Sequence, residues 1–206
     1  MNKHPIMSEL FIKGFTVFII LALAALIIHF DVRLLGSHAG ESSLIEYTQE
    51  TILVIVALLY FSLYRNDSYR SFAVLLGGFF TCLFIRELDG VFDQIVHGFW
   101  KYPAWAVAIS CIYYSFFKHR ESTLESFKAY LRHPSFGLML AAMGTLMVFS
   151  RIFGMGDLWQ VILDDGYHRA AKNIAEEGTE LLAYTLTLCA AAWHVISIRK
   201  PTSIYS

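Results

Sequence analysis

FTVFIILALAALIIHF, residues Phe15–Phe30, runs for sixteen positions without a charge and with one histidine. With its flanks (14–31) it approaches the roughly 30 Å of a bilayer's hydrocarbon core at a rise of about 1.5 Å per residue. It exceeds the apolar core of a usual signal peptide. Its nearest small-x-small site, Ser37-His38-Ala39, lies well downstream, so it reads as a retained span.

Five further apolar segments succeed it, at 45–64, 71–91, 103–117, 135–154 and 178–198. The expectation is an all-α polytopic membrane helix bundle of about six transmembrane helices, forming a single integral membrane domain over 1–206. The fourth segment is short and reaches full length only if Lys118 snorkels, while Pro103 suits its first turn. Composition agrees. Only 16% of the 206 residues are charged, against about a quarter in soluble domains, and the mean hydropathy is +0.52. No basic stripe is available to neutralise phosphates along a nucleic acid, which excludes that class of partner. Cys82, Cys111 and Cys189 stand apart in apolar stretches and read as core-filling residues.

One set of loops and ends holds Lys3, Lys13, Arg65, Arg70, Lys118, Arg120, Lys128, Arg132, Arg199 and Lys200. The other holds fewer bases and many acids. By the positive-inside rule both termini are expected to be cytoplasmic, in a bacterial inner (cytoplasmic) membrane. Ser122-Thr123-Leu124-Glu125 reads as a capping box opening a short cytoplasmic interfacial helix. Leu158, Trp159, Ile162 and Leu163 suggest a second one on the opposite face, ended by Asp164-Asp165-Gly166.

Counting from the cytoplasmic end of each span places Glu46, Glu50, Arg86, Glu87, Arg151 and Glu180 at one outer depth. Asp89, Asp93, His97, Lys172, Glu176 and Glu177 lie just beyond. Arg86, Asp89, Asp93 and His97 recur at helical spacing, as do Arg169, Asn173, Glu176 and Glu180. A charge facing hydrocarbon costs about 2.5–3.5 kcal/mol on the lenient insertion scale, so these stripes should face the bundle interior. Acids outnumber bases in this layer, which leaves carboxylates to be solvated, protonated or bound to a cation.

That layer is compatible with three function classes. The first is a metal-assisted membrane enzyme acting on a lipid or lipid-linked substrate. Asp93, His97, Glu176, Glu177 and Glu180 would hold a divalent ion (zinc, manganese or iron), with His168 the other nearby nitrogen donor. Glu50 or Glu87 would be the base, and Arg86, Arg151 and Lys172 would grip an anionic group. The second is a cation or proton transporter. It is disfavoured by inner helix halves whose polar breaks are mainly Thr81, Ser110, Thr145, Thr185 and Thr187. The third is a subunit or sensor in which each base simply pairs with an acid. His194 stands in an apolar inner stretch, and Trp100, Trp105 and Trp159 read as an interfacial belt.

Overall fold

The structure, a computed structural model, describes residues 4–34, 43–164 and 169–199, and these are helical with no strand. Among the described residues, four helical stretches are long and apolar enough to cross a membrane: Phe11–Arg33, Leu44–Arg65, Ser135–Phe153 and Arg169–Arg199. The first belongs to α1 (His4–Leu34), which is apolar all round and leaves Phe11, Phe18 and Leu26 more than half exposed, as a lipid-facing helix does. The second is α2 (Leu44–Phe61) with a 3₁₀ turn, Ser62–Arg65. Its start is built from polar side chains: Ser43 Oγ accepts the Glu46 N–H at 3.1 Å, and buried Asp31 accepts the Leu44 N–H at 3.1 Å.

The expected segments 71–91 and 103–117 appear as α3 (Arg70–Glu87) and α5 (Lys101–Ile112), the latter continued by a π-helical turn, Tyr113–Lys118. Neither is among the four. The 18 residues of α3 rise about 27 Å, just under the hydrocarbon thickness, and they include Arg70, Arg86 and Glu87. The two helices pack antiparallel: a β-carbon at Gly78 would overlap Cys111, while Cys82 donates to the Ala104 carbonyl at 3.3 Å.

Two expectations are corrected by the helix boundaries. The backbone leaves helical geometry at Leu88 (φ −82°, ψ 16°) before a separate short helix, α4 (Asp89–Asp93). Arg86, Asp89, Asp93 and His97 therefore do not share one continuous helix. The last helix, α10 (Arg169–Arg199), does carry Arg169, Asn173, Glu176 and Glu180 on one element, as their spacing predicts. The Ser122–Glu125 capping box does not form, because α6 (Arg120–Leu131) starts upstream of it. Ser122 instead contacts the Ser68 carbonyl at 3.4 Å, beside Ser126, which donates to the same oxygen at 2.6 Å. Thr123 bonds the Ser115 carbonyl at 2.8 Å, and Ser115 bonds the Ser71 carbonyl at 2.9 Å. Hydroxyls thus stitch α6 to the start of α3 in place of capping it.

The remaining elements are α7 (Ser135–Gly144), a π-helical stretch Thr145–Phe149, α8 (Ser150–Phe153) and α9 (Gly156–Leu163). Two compact units emerge. The first takes the chain through Tyr47 together with Ala142–Cys189; the second takes Thr48–Ala141 and the chain from Ala190. In the second, buried His194 packs among aromatic rings, with centroids 4.4 Å from Tyr130, 5.0 Å from His133, 5.8 Å from Phe72 and 6.2 Å from Tyr60.

Candidate functional site

In the first unit the site begins with a change of helical pitch. A π-helical turn holds one residue more than an α-turn, so the stretch Thr145–Phe149 rotates the residues C-terminal to it, Ser150 and Arg151. The buried Ser150 hydroxyl lies 2.7 Å from the Leu146 carbonyl and 3.0 Å from Glu180 Oε1, and Arg151 Nη2 donates to the same oxygen at 3.1 Å. The Glu180 side chain is only 4% exposed, whereas that of Arg151 is 46% exposed. A carboxylate buried in α10 is therefore held by a hydroxyl and by a guanidinium that reaches the surface.

One turn earlier on α10, Lys172 Nζ donates to Glu176 Oε2 at 2.8 Å and contacts the Gly154 carbonyl at 3.3 Å. The glycine permits this close approach: a β-carbon at 154 would lie 2.7 Å from Glu176 Cδ and overlap Oε1, so the carboxylate would have to move aside. Beyond Gly154 runs α9, anchored by Trp159, whose indole N–H donates to the Phe153 carbonyl at 2.6 Å. Val161 and Ile162 on this helix are 85% and 60% exposed. A polar cleft of about 420 Å³ is lined by Gly154, Gly156, Gln160, Arg169, Lys172 and Asn173.

The second unit holds Glu50, Arg86, Glu87, Asp93 and His97, while Glu177 lies on α10 in the first. Arg86 donates to its neighbour Glu87 at 2.6 Å, and the Glu87 side chain is only 9% exposed. Asp93 accepts the Gly98 N–H at 2.7 Å and pairs with His97 at 2.7 Å. Those two contacts, the backbone one first, hold the Asp93 carboxyl below the usual carboxylate range. This turn needs glycine at 98, where φ is +77°. His97 is 97% exposed, so the imidazole that was expected inside the bundle stands at the surface. Glu50 is half-buried on α2, next to fully buried Gln49.

The expected residues thus gather locally. Glu180 meets Arg151 and Glu176 meets Lys172 in one unit, and Glu87 meets Arg86 and Asp93 meets His97 in the other. Among the described residues no three His, Cys, Asp or Glu side chains come together as metal ligands, and His38 and His168 lie outside those residues. The spacing of charges did not point to Ser150, Asp31 or Ser43. Ser150 comes after a π-helical turn that has no sequence signature. Ser43-x-x-Glu46 was open to reading, since it repeats the pattern of Ser122-x-x-Glu125. No family model, no curated protein and no solved structure matches the chain.

Proposed function

We propose that the chain is a multi-pass protein of a bacterial inner membrane that acts on a lipid or lipid-linked substrate at a charged layer near its non-cytoplasmic face. In this reading α3 and the Lys101–Lys118 helix cross as a packed pair, making about six spans with both termini cytoplasmic. Their shortness is compensated by mutual packing and by snorkelling of Arg70 and Lys118 at their ends.

The observation that carries the proposal is the Ser150–Arg151–Glu180 centre. A carboxylate only 4% exposed within a helix otherwise suited to hydrocarbon is costly, and such groups are by default functional. Its placement just after a π-helical turn supports the same reading, since these turns concentrate at functional sites. The test is lipid analysis by mass spectrometry after incubating wild type, Glu180→Gln and Glu176→Gln in proteoliposomes of bacterial lipid extract. Turnover by wild type that is lost in folded Glu180→Gln is the expected result. Equal turnover in all three, or none in any, sinks the reading.

One specific observation favours a second reading. Each of Arg86, His97, Arg151 and Lys172 pairs with an acid of its own unit, as a structural ion-pair layer in a membrane subunit or sensor requires. A stoichiometric partner retained through purification from the native membrane, together with silent lipid assays, would favour it.

A further inference from the structure

We propose that the cleft lined by Gln160, Arg169, Lys172 and Asn173 takes the phosphate of an anionic lipid head group, with Arg169 and Lys172 as its cationic contacts. This rests on the lipid reading above and assigns that substrate's recognition to particular side chains.

Four observations converge on it. The cleft's volume of about 420 Å³ lies within the range of about 300–1,000 Å³ of small-molecule sites. Among the described residues its lining is two cations, two carboxamides and two glycines, with the Glu176 carboxylate behind Lys172, within a chain whose net charge is −1. A cleft so lined attracts an anion and repels a cation, and the planar fork of Arg169 matches two phosphate oxygens at once. Lys172 is pre-positioned, because its side chain is 20% exposed and its ammonium is held by Glu176 and the Gly154 carbonyl. Finally, one wall is α9, whose exposed Val161 and Ile162 and anchored Trp159 belong at the depth where head groups meet acyl chains.

The chemistry is that of a phosphate oxyanion, and the experiment separates a lipid source from a soluble one. The full chain in dodecyl maltoside is titrated with dihexanoyl-phosphatidylglycerol, dihexanoyl-phosphatidylcholine or inorganic phosphate, monitored by Trp fluorescence and by thermal shift. Wild type is set beside Arg169→Gln and a control, Lys101→Gln, at an exposed cation outside the cleft. The expected result is saturable binding of the anionic lipid alone. It should weaken about tenfold in Arg169→Gln, the loss of one charge-assisted contact, and stay unchanged in Lys101→Gln. Equal binding of both lipids, or Arg169→Gln binding like wild type, overturns the proposal. Inorganic phosphate binding as tightly as the lipid overturns the lipid source. Loss of binding specificity with lipid turnover intact would refute the cleft alone; binding intact without turnover would refute the enzyme reading alone.

Discussion

The Arg151–Glu180 pair yields a prediction whose sign depends on an asymmetry of burial. Removing one member of a buried ion pair costs about 3–5 kcal/mol, because the survivor stays charged in a poor solvent. Here the two survivors are not equivalent. Arg151→Met leaves Glu180, 4% exposed, without its guanidinium, and only part of the loss is offset by the Ser150 hydroxyl at 3.0 Å. That places the cost at the low end of the range, about 3 kcal/mol. Glu180→Gln leaves Arg151, 46% exposed, free to extend its long side chain toward the interface. The new amide carbonyl still accepts from Ser150, so the loss is the difference between a charged and a neutral hydrogen bond, about 1 kcal/mol. Arg151→Met should therefore be the more damaging change by about 2 kcal/mol, and the double variant should resemble Glu180→Gln alone. Reversible unfolding in mixed dodecyl maltoside and dodecyl sulfate micelles measures all three. Equal or reversed costs, or a strictly additive double variant, would show that charge compensation is not what holds this centre.

Gly154→Ala pushes the Glu176 carboxylate, the end of a flexible side chain, off Lys172 and should cost only about 1 kcal/mol, read as a slightly lower Tm in detergent. Combining it with Glu176→Ala, which vacates the space, should recover part of that loss. Gly98→Ala places an L side chain at φ +77° and should cost about 1–2 kcal/mol locally, seen as faster amide exchange over residues 93–98. The same turn is pH-sensitive with a definite sign. The folded Asp93 value lies below the unfolded one, taken as 3.8, so its stabilisation is full above that value. It is lost as pH falls through the folded value. Exchange at the Gly98 amide, corrected for intrinsic rate, should show this in wild type and not in Asp93→Asn. Elemental analysis of protein purified without chelator, with zinc, manganese and iron supplied, tests the metal-assisted mechanism. That mechanism requires near-stoichiometric metal that is lost in both His97→Ala and Glu176→Ala; no metal in wild type refutes it.

What the sequence allowed to be read depends on the range of the interaction that decides it. The apolar runs around Phe15–Phe30, 45–64, 135–154 and 178–198 needed only length and hydropathy, and all four return as helices long enough to span. The Asp93–His97 contact was also within reach, because it joins residues four apart; Lys172–Glu176 has the same spacing. Spacing failed where it presumed an unbroken helix. Extending the Arg86 stripe to His97 required residues 86–97 to be one rod, and the backbone leaves helical geometry at Leu88.

The two Ser-x-x-Glu patterns show why local signals underdetermine even local structure. Ser43 and Ser122 present the same chemistry at the same spacing, and only Ser43 caps a helix. The difference is where the helix opens: α6 starts at Arg120, so Ser122 already lies inside it, and its hydroxyl and that of Ser126 turn to the Ser68 carbonyl, 54 and 58 residues away. Which residue becomes the cap is thus set by competition among tertiary contacts and not by the four-residue pattern. The same competition governs the charged layer. Counting along helices could place Arg151 and Glu180 at a common depth, because depth is set by the apolar runs on either side of them. It could not pair them, because a π-helical turn between Gly144 and Ser150 sets the direction in which Arg151 projects. Depth in a membrane protein is thus written in composition, while azimuth is written in the exceptions to helical regularity. A charged site is defined by azimuth, which is why the Arg151–Glu180 cycle, and not a further count of apolar residues, tests whether charge compensation holds this centre together.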